Sequence, residues 1–260
     1  MTLVPALQVW SLDGIPRVAP GDDVAALILT AVERAGLALV DGDVLAVTSK
    51  VCSRAEGRFV ALQDVTATDE ACELAAQTGH DPRLVALVLA ESAAVSRAAP
   101  GVLITRHRCG FVTAMAGIDQ SNAGTGPGDA GERLLLLPEA PDVSARRIRE
   151  ALTERTGVDV AIVLTDSHSR PFRLGTIGTA IGVAGFHPLR SHVGEPDLDA
   201  RPLQRTVVAV ADAVAALGDL IAGQGDEGRP VTLIRGLTLA PDDDAGSGAQ
   251  YRAPDEDLYV

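Results

Sequence analysis

Short runs of apolar residues alternate with polar, glycine-containing segments along most of the chain, and the runs have the length of buried strands. Those at 43–48 and 158–164 are almost continuously apolar, as expected of strands that are covered on both faces. Shorter apolar or β-prone stretches indicate further strands. The predicted strands are 43–48, 102–105, 111–114, 158–164, 176–185 and 231–234.

Other segments repeat apolar residues at helical spacing and have helix-capping residues at their ends. Gly21-Asp22-Asp23 precedes the first such segment, and Gly36 follows it. Asp81-Pro82 provides a capping carboxylate and a proline at the first helical position. The predicted helices are 24–35, 68–77, 81–95, 144–156 and 203–220.

The last predicted helix is apolar on more than one face. Its apolar residues are Val207, Val208, Val210, Ala211, Val214, Ala215, Leu217 and Leu220. Because a helix that is apolar all round is normally buried, we predict that a two-fold dimer covers it. The chain has 260 residues, which suits one large domain or two small domains that share a site.

Composition excludes several functional classes. The chain has 35 acidic and 22 basic residues, a net charge of -13 and only 3% aromatic residues, so we expect no nucleic-acid partner. No apolar run approaches the ~20 residues of a membrane helix, and the first residues do not follow the signal-peptide pattern. Three widely spaced cysteines argue against disulfides and a zinc site. We therefore expect a cytoplasmic protein.

Basic residues follow the first predicted central strand. Ser49, Lys50, Arg54 and Arg58 lie in one short segment, and Lys50 is the only lysine of the chain. Lysine and arginine in such a segment are suited to bind phosphate oxygens, although a solvated loop is the alternative. No GxxxxGK[ST] motif occurs, so a nucleotide site here would not be of the P-loop type.

Two aspartates are candidate metal ligands, since carboxylate oxygens suit Mg²⁺ and Mn²⁺. Asp119 lies in a glycine-flanked segment without a nearby basic residue, where an acid is also a common turn former. Asp166 directly follows the predicted strand at 158–164, so its charge needs a partner. That partner is either a metal or one of two nearby arginines, Arg170 and Arg173.

The sequence gives weaker evidence for a functional role of three further polar segments. We expect His168 to be a solvated loop residue, because neighbouring side chains at a strand end point apart and no GxSxG elbow provides a nucleophile. The loop 222–229 contains glycines that permit close approach of a ligand, and a helix end with a turn is its alternative. Asn122 is the only asparagine of the chain and precedes a glycine-rich stretch.

A set of ordered stretches is similar to one known family. They are LDGIP (12–16), DGDVLAVTSKVCSRAEGR (41–58), AGIDQSN (116–122), LLLLPEAPDVSA (134–145), VAIVLTDSHSRPFRLG (160–175), AIGVAGF (180–186), TVVAVADAVAALGDLIAGQGDEG (206–228) and PVTLIRG (230–236). Together they resemble the coenzyme F420-0:L-glutamate ligase family, also called gamma-glutamyl ligase. Lys50 and Asn122 both fall inside these stretches, which favours a functional role for each.

The resemblance implies a fold and an activity. The fold is α+β, with mixed sheets and flanking helices, and it forms an intertwined homodimer. The activity is that of a GTP-dependent ligase that joins L-glutamate to the deazaflavin precursor F420-0 through an acyl phosphate and then extends the polyglutamate tail. The implied cofactors are two Mg²⁺ or Mn²⁺ ions, with K⁺ as a further candidate ion.

Site residues follow from the resemblance position by position. It implies that Asp119, Asp166, Ser167 and Gln224 bind divalent metal and that Asp119, Asp166 and Lys50 are catalytic. The residues that it implies for nucleotide binding are Ile15, Pro16, Arg17, Val18, Ser49, Lys50, Arg54, Asn122, Ala222, Gly223, Gln224, Gly225, Asp226, Glu227, Gly228 and Arg229.

Several positions depart from the usual pattern of the family. Gln224 stands where some members have Glu, which removes one formal charge from the second metal site. Arg54 stands where Lys is frequent, and Met115 stands where Asn is common. Ser169 and Ala200 replace expected glycines.

We predict a catalytic module at 1–240, built as one body or as two interleaved α/β subdomains, and an acidic, glycine-rich tail at 241–260. We expect no flavin-dependent second domain of the kind that some relatives have. Three other functions remain as alternatives. A metal-dependent nucleotide phosphohydrolase, or a ligase acting on another acceptor, would use the same carboxylates. A nucleotide-binding regulator without catalysis would need fewer metal-binding carboxylates, so the presence of two separated aspartates argues against it.

Overall fold

The computed structural model describes residues 7–120, 133–244 and 246–256. The helices in these ranges are α1 (Val24–Arg34), α2 (Ser49–Ala55), α3 (Asp69–Thr78), α4 (Pro82–Ala90), α5 (Pro141–Thr156) and α6 (Val210–Ala222). The strands are β1 (Gln8–Leu12), β2 (Val44–Thr48), β3 (Phe59–Ala61), β4 (Ser92–Ala99), β5 (Val102–His107), β6 (Val112–Ala114), β7 (Arg133–Leu135), β8 (Ala161–Arg170), β9 (Arg173–Phe186), β10 (Leu189–Ser191), β11 (Val207–Ala209), β12 (Val231–Arg235) and β13 (Pro241–Asp242).

A six-stranded sheet with the order β1-β12-β2-β8-β9-β13 forms the centre of the described structure. β2 and β8 pair in parallel, from Val44 opposite Ala161 to Thr48 opposite Thr165. The other strand pairs of this sheet are antiparallel. The sheet is therefore mixed, and the predicted α+β class is confirmed.

Helices cover both faces of the main sheet, because its central strands are apolar on both sides. Leu45 and Ile162 belong to one apolar core, which they share with α1 and α5. Ala46 and Val163, their neighbours in sequence, belong to a second core against α6. Consecutive residues of β2 and β8 therefore face different helices.

A smaller sheet of β4, β5 and β6 packs with α3 and α4 around a third apolar core. Val85, Leu103 and Ile118 are buried in that core, and β3 pairs with β7. The backbone of Asp119 bridges to Leu135 of β7. This bridge joins Asp119 to the β3–β7 strand pair beside the third core.

Two predicted helices are shorter than expected. α4 ends at Ala90, and the residues from Ser92 form β4 because they pair with β5. α6 begins at Val210 and not at 203, because β11 precedes it and pairs with β10. Both predictions were wrong at one end, since pairing with a distant strand overrides local helix propensity.

The strand predicted at 158–164 extends much further than expected. β8 runs on to Arg170 because β9 pairs with it from Ile162 to Arg170. Asp166 therefore lies inside a strand and not after one, which corrects the sequence-based prediction. α5 also differs, beginning at Pro141 and not at 144, since proline is well suited to the first helical position.

α6 is buried on one face only. Ala211, Val214, Ala215 and Gly218 pack on the main sheet, whereas Leu220 is 78% exposed. Coverage of this second face by a partner chain stays a prediction. Within the described ranges, no helix has both the length and the apolar character needed to cross a membrane.

The described part of the segment after residue 240 packs on the main sheet. β13 pairs with the end of β9. Ser247 is buried, and its hydroxyl donates a hydrogen bond to the Ile181 carbonyl at 2.9 Å. Tyr251 contacts Phe111 edge to face. A division of the chain at residue 240 stays a prediction.

Candidate active site

A cavity of about 800 Å³ opens at the edge of the main sheet where β2 ends beside β8. Its walls come from residues 15–18, from α2, from residues 113–119, from β8 and from the loop 222–230. Ligand sites of sheets flanked by helices usually lie beyond the carboxyl ends of parallel strands. This cavity is therefore the candidate active site.

Most of the predicted site residues meet in this cavity. Ser49 does not line it but contacts Asp166, and Asn122 lies outside the described residues. The predicted residues that line it are Ile15, Pro16, Arg17, Val18, Lys50, Arg54, Asp119, Asp166, Ser167, Ala222, Gly223, Gln224, Gly225, Asp226, Glu227, Gly228 and Arg229.

The parallel register of β2 and β8 brings two of the functional segments together. Thr48 lies opposite Thr165, so Ser49 and Asp166 follow side by side. The Ser49 hydroxyl donates a hydrogen bond to Asp166 Oδ1 at 3.3 Å. Ser49 is buried and begins α2, so the alternative of a solvated loop for this segment is wrong.

Lys50 and Asp119 form an ion pair at the cavity wall. Lys50 Nζ lies 3.0 Å from Asp119 Oδ2, and the two side chains are 42% and 17% exposed. The sequence showed no nearby base because Lys50 comes from the distant helix α2. Because Lys50 is more than a third exposed, solvent screens this pair, and it contributes little stability, about 0–1 kcal/mol.

A left-handed turn comes just before Asp119 and packs against Asp166. Met115, Ala116 and Gly117 have φ values of 52°, 51° and 66°. A Cβ atom on Gly117 would lie 2.6 Å from Leu137 and 3.4 Å from Asp166 Oδ2, so the turn sits directly against these side chains. Left-handed residues other than glycine cost energy and occur preferentially at functional sites.

Asp166 is held by a buried histidine. His168 Nε2 lies 3.0 Å from Asp166 Oδ2, and His168 Nδ1 lies 2.8 Å from the Thr179 hydroxyl. The expectation of a solvated His168 is wrong, because residues two apart in a strand share one face. The expected arginine partners are not seen either: in the described structure neither Arg170 nor Arg173 forms an ion pair with Asp166.

The opposite face of β8 has a second cluster of oxygen atoms. Asp219, from the last turn of α6, accepts hydrogen bonds from Thr165 at 2.9 Å and from Ser167 at 3.1 Å. Gln224 Nε2 donates to the same carboxylate at 2.8 Å, and Gln224 Oε1 accepts from Ser167 at 2.7 Å. Sequence analysis missed Asp219, for which the only signal was an acid in an apolar helix.

The arginines near α2 have different roles. Arg54 lines the cavity, and its Nε donates a hydrogen bond to the Val18 carbonyl at 2.7 Å. Burial, and then the charge of Arg17, lower the pKa of Arg54. Arg58 turns away and pairs with the buried Glu91 at 2.8 Å. Of these two candidate phosphate ligands, only Arg54 lies in the cavity.

The loop after α6 is folded upon itself. Glu227 Oε2 accepts a hydrogen bond from the backbone N–H of Gly225 at 2.8 Å, and backbone hydrogen bonds lower the Glu227 pKa. Gly223 has φ 86°, and a Cβ atom there would collide with the Glu227 carboxylate. Glycine at this position therefore adopts the positive φ that this loop conformation needs.

The oxygen atoms along the cavity fit a divalent cation. The Asp119 and Asp166 carboxylates, the Ser167 hydroxyl and the Gln224 amide are the hard donors that Mg²⁺ and Mn²⁺ prefer. No group of three or more His, Cys, Asp or Glu residues suited to a metal forms within the described ranges. A cation here would therefore complete its shell with water or phosphate oxygens, as Mg²⁺ commonly does.

Comparison with known proteins identifies relatives over nearly the whole chain. The family model described as F420-0:Gamma-glutamyl ligase matches residues 14–236. A protein of Methanothermobacter thermautotrophicus named coenzyme F420:L-glutamate ligase is 42% identical over 230 residues, which is 88% of this chain and 89% of that protein. Proteins of the same name from Methanopyrus kandleri and Halobacterium salinarum are 40% and 42% identical, and the matches cover 98% and 97% of this chain and 98% and 95% of those proteins.

We predict that His168→Leu lowers the free energy of unfolding by about 1–3 kcal/mol, because it removes the buried imidazole that partners the half-buried oxygens of Asp166 and Thr179. Urea unfolding followed by circular dichroism measures this change. His192→Leu is the matched control, since His192 is more exposed and pairs with the exposed Glu195. Equal effects of the two substitutions would contradict a buried network around Asp166.

Proposed function

The chain belongs to the F420-0:gamma-glutamyl ligase family, and from this membership we propose that it joins L-glutamate to the deazaflavin precursor F420-0 with GTP as the co-substrate. The observation that supports the proposal most is one cavity that contains Lys50, Arg54, Asp119 and Asp166 together. Cations for phosphate oxygens and carboxylates for a divalent metal are what a nucleotide-dependent ligase needs.

The proposed nucleotide site uses the cationic wall of the cavity. Lys50 acts as a point charge beside the phosphates, and Arg54 provides a second cation whose position is fixed by its hydrogen bond to Val18. The segment 15–18 and the loop 222–229 form the walls on either side. Asn122 belongs to the same proposed site through the family resemblance.

The proposed metal site uses the oxygen donors of β8 and its neighbours. Asp119, Asp166, Ser167 and Gln224 would hold two Mg²⁺ or Mn²⁺ ions, with K⁺ as a further candidate ion. Bound cations supply charge neutralisation at the phosphates of the co-substrate. Ser49 and His168 keep Asp166 in place through their hydrogen bonds.

The proposed reaction has two steps. The F420-0 carboxylate attacks the γ-phosphorus of GTP, the bond to the β-phosphate oxygen breaks, and an acyl phosphate and GDP form. The glutamate amine then attacks the acyl carbon, inorganic phosphate leaves, and the amine loses a proton as the amide forms. Lys50 and Arg54 stabilise the negative charge that develops on the phosphate oxygens.

A protein thiol has no part in this scheme. In the described structure none of Cys52, Cys72 and Cys109 lines the cavity. Burial raises the pKa of the Cys52 thiol, which keeps it in its unreactive protonated form. Transfer through an acyl phosphate needs no covalent enzyme intermediate and agrees with this arrangement.

We predict that incubation with GTP, Mn²⁺, L-glutamate and F420-0 gives a product heavier by one glutamate residue in mass spectrometry. GDP should form only when F420-0 is present, because the F420-0 carboxylate receives the γ-phosphoryl group of GTP. Asp119→Asn should abolish product formation. Asp159→Asn is the matched control and should retain it, since Asp159 is 65% exposed and pairs with Arg149 outside the cavity.

The same incubation tests the alternative functions. GDP formed at the same rate without F420-0 would favour a nucleotide phosphohydrolase and contradict the ligase. Product formation with a different acceptor carboxylate, and none with F420-0, would favour a ligase of the same fold with another substrate.

We also propose a homodimer, as the family resemblance implies. Phe172 and Leu174 lie at the turn between β8 and β9 and are 96% and 98% exposed, and Leu220 at the end of α6 is also exposed. Large apolar side chains exposed next to each other at one turn are typical of association surfaces.

Light scattering at micromolar concentration should therefore give twice the chain mass of 26.8 kDa. Replacement of both Phe172 and Leu174 by serine should shift the mass towards that of one chain, because the substitutions remove apolar area without touching the cavity. A wild-type protein that scatters as a single chain would overturn the dimer.

A further inference from the structure

Asp219 is an acidic residue of the cavity to which the family resemblance assigns no role. Its carboxylate lies between β8 and the loop that follows α6. Thr165 donates to Oδ1, whereas Ser167 and Gln224 Nε2 both donate to Oδ2. Asp219 therefore contacts the two neutral residues that the family resemblance implies as metal ligands.

Two glycines allow Asp219 to reach β8. Gly218 lets α6 approach β2 closely, since a Cβ atom there would lie 2.5 Å from the Ala46 Cβ. Gly178 of β9 lies opposite Ser167, and a Cβ atom at Gly178 would lie 2.5 Å from the Ala215 carbonyl oxygen of α6 and 2.6 Å from the Asp219 Cγ. A side chain at either position would push α6, and the carboxylate with it, away from β8. The close packing of α6 therefore brings the Asp219 carboxylate beside Ser167.

Without Asp219, the residues implied for the first cation carry negative charge and those implied for the second carry none. Asp119 and Asp166 provide two carboxylates on one side of the cavity. Ser167 and Gln224 provide only neutral oxygens on the other, and neutral oxygens alone hold a divalent cation weakly. Asp219 Oδ2, Ser167 Oγ and Gln224 Oε1 lie within a network of hydrogen bonds of 2.7–3.1 Å. These atoms form a compact set of hard donors with one negative charge.

We propose that Asp219 is the anionic ligand of a second divalent cation, bound together with Ser167 and Gln224 and separate from the cation of Asp119 and Asp166. This inference rests on the proposed function, because it concerns one of the two ions that the ligase reaction would use. The carboxylate restores the formal charge that glutamine at position 224 lacks. An alternative role is structural: Asp219 would only anchor the loop through its hydrogen bonds.

The test is a count of bound Mn²⁺ per chain, made from the electron paramagnetic resonance signal of free Mn²⁺ during titration in the presence of GDP. The wild-type chain should bind two ions. Asp219→Asn keeps the shape of the side chain but removes its charge, so the affinity of one ion should fall at least tenfold while the other is unchanged. Asp219→Ser, which is smaller, should have the same effect, and thermal melts confirm that the variants are folded.

Thr165→Val is the matched control. It removes the hydrogen bond to Asp219 Oδ1 and leaves the Oδ2 atom free to bind the cation, so two ions should still bind. Loss of one ion in Thr165→Val as well would assign the effect to anchoring and contradict a ligand role. Two ions in both Asp219 variants would also overturn the inference.

The outcomes separate this inference from the proposed function. A wild-type chain that binds one Mn²⁺ and still forms the glutamylated product would overturn the Asp219 ligand and leave the ligase intact. A wild-type chain that binds no Mn²⁺ would overturn both.

Discussion

The parallel pairing of β2 with β8 is the constraint on which the rest of the site depends. Both strands are buried and apolar on both faces up to the last residues before the cavity, so a shift of one residue would exchange the side chains that pack against α1 and α5 with those that pack against α6. The hydrophobic cores therefore fix Thr48 opposite Thr165. With that register set, Ser49 and Asp166 lie side by side, and α2 then directs Lys50 to Asp119 before any ligand binds.

The two faces of β8 divide the polar residues of the cavity into two sets. Asp166 and His168 share the face towards α2, whereas Thr165 and Ser167 share the face towards α6 and meet Asp219 there. Because successive side chains of β8 point to opposite faces, this one strand positions two groups of oxygen donors. In the proposed reaction, β8 would position the ligands of two cations, one cation at each of its faces.

Much of this arrangement is visible in the sequence, because apolar runs that end in polar residues predict both the central strands and the cavity at their ends. The extension of β8 is not visible, since its polar second half is a strand only through pairing with β9. His168 was misread for the same reason: inside a strand it shares a face with Asp166. The position of Asp219 beside Ser167 depends on the absence of a side chain at Gly178. The sequence does not indicate this contact, because the two residues lie on different elements.

The measurement that tests the central claim most directly is a calorimetric Mn²⁺ titration of Asp166→Asn alongside its thermal melt. The substitution keeps the shape of the side chain and removes its charge. If Asp166 holds a cation for ligation, Mn²⁺ affinity and ligase activity should fall together in a folded protein, and activity should partly recover at raised Mn²⁺ concentration by mass action. A destabilised variant that still binds Mn²⁺ normally would show that Asp166 serves the fold alone, and would contradict the account.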